Sequence, residues 1–136
     1  MYVFRIGSIH EFFEISLPSN IKSKNWAQAH VSLSVEGFVC NIDAFFDKAD
    51  FTTFLRQLTS MNHTLLGVAS LEPLDRQFAL SIKIDSTGHL HIVGEAWSRA
   101  IYRNKLSFEF GLDQSYLPDP IKQLEQIVNV WSDNDD

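Results

Sequence analysis

The sequence predicts an α+β fold: a mainly antiparallel, curved β-sheet of six to eight strands with two α-helices packed on it. Three observations carry this reading. Most of the chain alternates apolar and polar residues with period two, while two segments carry an apolar stripe at helical spacing. Strands and helices do not alternate regularly, as a doubly wound parallel sheet would require.

In chain order, residues 2–6 and 12–17 are short apolar or alternating runs separated by Gly7-Ser8, which predicts two paired strands. Pro18-Ser19-Asn20 ends the second. After a basic, polar stretch at 21–25, Trp26 opens a strand in which Val31, Leu33 and Val35 alternate with Ser32, Ser34 and Glu36. Trp26 is expected to anchor the core. Glu36-Gly37 either turns the chain or marks a bulge in one long strand, and Phe38, Cys40, Ile42 and Ala44 keep the period.

The period then changes. Phe51, Phe54, Leu55 and Leu58 form the stripe of an amphipathic helix, N-capped by Asp47 with Asp50 in its first turn and ending near Met61-Asn62. Residues 63–71 read as another strand, closed by Glu72-Pro73. The strongest hairpin comes next: Phe78, Leu80, Ile82 and Ile84 face inward, Asp85-Ser86-Thr87-Gly88 turns the chain, and Leu90, Ile92, Gly94 and Ala96 continue the inward row. Beyond a basic loop with Arg99 and Arg103, Leu106, Phe108, Phe110 and Leu112 mark a third antiparallel strand. Asp119 is expected to cap a second helix with Pro120 at its first position, buried through Ile121, Leu124, Ile127, Val128 and Trp131. The end of the chain, 131–136, is expected to fray as an acidic tail. No internal repeat is visible, and the 136 residues read as a single globular domain.

Composition excludes several classes. Hydrophobic residues at 45%, eleven of them Phe, rule out a disordered chain, and no apolar run approaches the roughly 18 residues of a membrane span. A formal charge of -6 argues against direct nucleic-acid binding and suits a basic protein partner. The start lacks an export signal, and a lone cysteine, Cys40, makes no internal disulfide. Both predict a reducing cytoplasm.

Chemistry-bearing constellations are sparse. His89 and His91 project from one face of a strand with Glu95 further along, as a metal or hydrolytic site would begin, yet a third close ligand is not evident. The plainer reading is the solvated outer face of a hairpin. Cys40 lies in an apolar row without a nucleophile signature, Asp47 with Asp50 reads as a helix start, and no glycine-rich phosphate loop occurs. The expectation is no cofactor and no catalysis. The candidate partner-binding residues are Glu95, Trp97, Glu109 and Asp85, on or beside the outer face that also holds His89, His91 and Val93, with Asp113 extending the acidic scatter. Trp97 could instead tuck against a helix, and Arg99, Arg103 and Lys105 form a basic loop.

The order Asn25-Trp26 before a strand, Gly37-Phe38, an amphipathic helix, Leu65-x-Gly67-x-Ala69-x-Leu71, Gly88-His89-Leu90 with Val93-Gly94, and Leu106-x-Phe108-x-Phe110 running into Asp113-Gln114-Ser115-Tyr116-Leu117 resembles the WapI-like bacterial immunity proteins and related uncharacterised small domains. The resemblance spans nearly the whole chain, and its last motif is the most specific. It implies a cytoplasmic protein that binds and neutralises the toxic C-terminal domain of a secreted or contact-delivered toxin, in the WapI case a nuclease acting on tRNA. It brings no catalytic residues. Trp26, Gly37, Gly88 and 113–117 all have structural explanations, the last as a strand-to-helix joint in which Asp113 accepts backbone hydrogen bonds. A deep pocket lined by His89, His91 and Glu95 would instead indicate a ligand- or metal-binding module or a hydrolase. An exposed acidic and aromatic patch on a closed core would favour the inhibitor.

Overall fold

A computed structural model describes residues 1–99 and 103–132 and turns the alternating segments into eight strands. The first four, β1 (Tyr2–Gly7), β2 (Phe12–Leu17), β3 (Trp26–Val35) and β4 (Phe38–Asp47), form an antiparallel meander in that order, followed by α1 (Lys48–Thr64). The next four, β5 (Val68–Leu71), β6 (Phe78–Ile84), β7 (His89–Trp97) and β8 (Lys105–Asp113), form a second meander, followed by α2 (Pro118–Ser132). The α+β class is as predicted. The single curved sheet is not: there are two four-stranded sheets, and among the described residues β5 pairs only with β6. Strand patterning specifies which faces are buried, not which edges pair, so it left the break at α1 invisible.

The inward rows of both sheets share one core with the helices. Phe4 packs edge-on to Phe13 and Phe51, with ring centroids 6.0 and 5.6 Å apart, while Phe13 meets Phe78 across the sheets at 6.0 Å. Gly94 sits in the inward row of β7 because its position is filled: a Cβ there would run into the Phe108 ring and lie 2.7 Å from the Ala79 carbonyl oxygen. Gly37 forms a turn and not a bulge, with φ 84° and β3 pairing β4 from Val35↔Phe38 onward.

The two halves share one element order, four antiparallel strands followed by a helix, although the sequence showed no repeat. Asp47 and Asp113 end the last strand of each half and cap the helical turn after it, and Gln57-Leu58 in α1 corresponds to Gln123-Leu124 in α2. The helices are exchanged. α1 leaves the first sheet and lies on β5 of the second, and α2 leaves the second sheet and lies on β1 of the first. Each uses its equivalent glutamine in the same way: Gln57 Oε1 accepts from the Ser70 N–H of β5 at 2.8 Å, and Gln123 Oε1 accepts from the Arg5 N–H of β1 at 2.9 Å. Both groups belong to the outermost strands of their sheets among the described residues, so the helices close the edges they cover.

Several boundaries differ from the sequence expectation. α1 runs on to Thr64 and stops at Leu65, whose φ of 59° is left-handed, so only Val68–Leu71 of the expected strand is extended. α2 starts at Pro118, and Asp119 lies in its first turn instead of capping it. This also obeys the rule that proline suits the first helical position; the junction offers Pro118 and Pro120 and uses the earlier. Trp131 is not frayed: it is fully buried, 5.7 Å from Phe51 between ring centroids, and its Nε1–H donates to the Lys24 carbonyl at 2.6 Å. Ser132 ends α2, and 133–136 of the expected tail lie outside the described residues.

Removing one glutamine leaves a half-buried edge N–H without its acceptor, so Gln57→Ala should cost about 1–2 kcal/mol in urea unfolding and speed hydrogen exchange at Ser70. Gln123→Ala should do the same at Arg5. Unchanged exchange at both amides would show that the helices cover the edges without these bonds.

Candidate functional site

The outer face of the second sheet holds the residues singled out from sequence. In register, Val93 lies between Ser81 and Glu109, Glu95 between Ala79 and Ser107, and Trp97 beside Lys105. Alternation along β7 places Glu95, Trp97 and, from β8, Glu109 on one exposed face. Asp85 lies off its end, in the turn before His89.

Most of these groups are already engaged within the protein. Lys105 Nζ is 3.2 Å from Glu95 Oε2 and 5.3 Å from the centre of the Trp97 ring, so one ammonium group serves both. It is this lysine, from the neighbouring strand, that lies over Trp97. The backbone N–H of Trp97 donates to the Gln77 carbonyl at 2.8 Å, and Gln77 Nε2 returns a bond to the Trp97 carbonyl. Asp85 accepts from the Thr87 hydroxyl at 2.6 Å, lies 3.2 Å from His91 Nε2, and accepts from the backbone N–H groups of Thr87 and His89. The Thr87 hydroxyl, then His91, hold its carboxyl well below the ordinary carboxylate range.

His89, His91 and Glu95 therefore do not converge. Asp85 collects the two histidines at one end of β7, while Glu95 turns to Lys105, about 13 Å along the strand from His91. Among the described residues no group of three or more His, Cys, Asp or Glu is placed to hold a metal ion. Cys40 is a half-buried free thiol whose pKa burial pushes up, which disfavours the thiolate. Asp113 accepts from the Ser115 N–H at 2.8 Å and from the Ser115 hydroxyl, as expected of a strand-to-helix joint.

A second surface was missed by sequence reasoning. Trp26, expected in the core, is 59% exposed, because Ala27 and Ala29 take the inward row of β3 and leave Trp26 on the outer face. It meets the exposed Phe45 of β4 at 5.3 Å between ring centroids, nearly perpendicular. The pair forms one wall of an open groove of about 830 Å³ that also takes in Asp47, Lys48 and Asp50 at the start of α1, and Leu74 and Asp75 from the β5–β6 loop. Leu74 is 96% exposed.

The groove's acidity is built into the helix start. Asp47 Oδ1 accepts from the Asp50 N–H at 2.9 Å, and Asp50 Oδ2 accepts from the Asp47 N–H at 2.8 Å, a reciprocal capping box. Burial, reinforced by the charges of Asp47 and Asp75, raises the Asp50 carboxyl from 3.8 to about 6. One ammonium, Lys48, stands among three carboxylates in the groove lining. The available sequence signal was Trp26 preceding the small inward residues Ala27 and Ala29, a parity that puts the indole outside.

Folding must tolerate an ionised Asp50 that burial disfavours, so its contribution to stability falls as pH rises from about 4 through about 6. Asp50→Asn keeps an oxygen acceptor for Asp47 and removes this dependence. The variant should therefore gain stability relative to the parent between about pH 4 and about pH 8 in urea denaturation, and parallel pH profiles would disprove burial as the cause.

The model of the family described as the immunity protein WapI-like family matches residues 4–131. No curated protein matches the chain.

Proposed function

Because the chain belongs to the WapI-like immunity protein family, we propose that it neutralises the toxic domain of a bacterial polymorphic toxin by binding it and masking its active site, without catalysis of its own. The family match over nearly the whole domain carries this reading. The surface chemistry supports it: His89, His91, Asp85 and Glu95 are tied to neighbours, while large apolar and aromatic groups stand in solvent, as a contact surface requires. We favour a nuclease as the target. Enzymes that hold polyanionic nucleic acid present basic clefts, and a protein of charge -6 competes for such a cleft and approaches it faster. The role places the protein in the cytoplasm with its target; no helix among the described residues is long and apolar enough to cross a membrane.

The outer face of the second sheet, with Glu95, Trp97, Glu109 and Asp85, is one proposed docking surface, favoured by the exposed Val93 beside Glu109. Its rival is the groove at Trp26.

The neighbouring reading frame should encode a toxic C-terminal domain; cells expressing that domain should grow when the protein is co-expressed, and the two purified proteins should form a stable complex. Growth arrest despite soluble protein, or no complex at micromolar concentration, would refute the proposed pairing. If the second sheet's face is the contact, Glu109→Lys should abolish protection while leaving folding intact.

A further inference from the structure

We infer that the groove between the Trp26–Phe45 pair and the α1 N-terminus binds a basic segment of the partner protein, with a Lys or Arg side chain laid against the aromatic pair beneath the carboxylates of Asp47, Asp50 and Asp75. This builds on the immunity reading and names its contact surface. Trp26 and Phe45 are exposed at 59% and 41%, although each lies next in sequence to a buried inward residue, Ala27 and Phe46. Leu74 adds an almost fully exposed apolar side chain to the same lining. Such an exposed apolar and aromatic cluster is the mark of a contact surface.

Charge decides the kind of cover. The lining brings three carboxylates to one ammonium, so an acidic segment would be repelled and a neutral one would desolvate the carboxylates with no charge of its own to offset the cost. A cationic segment answers both features: its alkyl stem covers Phe45 and Leu74, and its charged head meets the indole face and the aspartates. On the second sheet's face the protein supplies such a cation itself: Lys105 lies over Trp97 and beside Glu95. Lys105 on Trp97 and Glu95 is thus an internal example of the contact that a partner's cation would make in the groove.

The test uses a random-peptide phage library panned on the intact protein. Selected peptides should carry Lys or Arg next to an aliphatic or aromatic residue. Their synthetic versions should lose about tenfold or more in affinity for a Trp26→Ala/Phe45→Ala double variant, and should bind Val39→Ala, altered at an exposed apolar residue elsewhere on the first sheet, like the parent. Leu74→Lys, a change at a side chain outside the core, should weaken them comparably by placing a positive charge in the groove, and this keeps the test valid if the double variant is unstable. Added salt should weaken binding as well. Acidic or neutral selected sequences, binding that survives both Trp26→Ala/Phe45→Ala and Leu74→Lys, or no enrichment at all would overturn the inference. Growth protection separates it from the immunity reading. Protection that persists in the folded double variant removes the groove from toxin binding and leaves the function standing, whereas failed protection with groove-specific peptides does the reverse.

Discussion

Two unpaired strand edges govern this structure. A four-stranded meander leaves its first strand with a row of N–H and C=O groups that must meet water, another chain or a cover. Here β1 and β5 are each covered by the helix that follows the other sheet, and each receives a glutamine oxygen from it. Because the covers are exchanged, neither half is complete alone. The exchange also brings α1 against α2 and buries Phe51 against Trp131, so the core of one half is finished by residues of the other.

The same arrangement creates the groove. α1 must leave β4 abruptly to reach β5, and Asp47 and Asp50 cap it where β4 ends. Register sets Trp26 opposite Asp47 and Gln28 opposite Phe45, so the outward aromatic pair stands at the mouth of the helix. The β5–β6 loop, carried there because β5 lies on α1, contributes Leu74 and Asp75. Carboxylates that serve the helix and aromatics left outside by strand alternation thus become neighbours. Further along the first sheet's outer face runs a polar ladder, in which His30 is held between Asp43 at 3.1 Å and Asn41 at 3.2 Å, and the Asp43 bond raises its pKa.

Local signals were legible where one physical preference acted alone. The Asp47 cap with Asp50 in the first turn, the Asp85–Gly88 turn and the inward rows of β6, β7 and β8 follow directly from capping, turn chemistry and period two. Boundaries failed where preferences competed. Residues 63–64 are neutral enough in preference to extend α1, and Leu65 stops it through a left-handed backbone conformation that no glycine announced. Of the candidate contact residues, Glu95, Trp97 and Glu109 were placed on one face correctly, because alternation fixes faces. What alternation could not show was that Lys105 engages two of them, since that depends on β7 and β8 lying side by side.

The sequence by itself determined the fold class, the faces of the strands, the start of α1 and the resemblance that pointed to the family, all of which depend on residues close together in the chain. Only the tertiary structure decided that there are two sheets, that the helices are exchanged and that Leu74 and Asp75 join the outward Trp26. Those outcomes rest on contacts between distant segments: Gln123 with Arg5, Trp131 with Lys24, and the β5–β6 loop with the start of α1. Periodicity records which side of a strand is dry. It carries no record of which distant element makes it so.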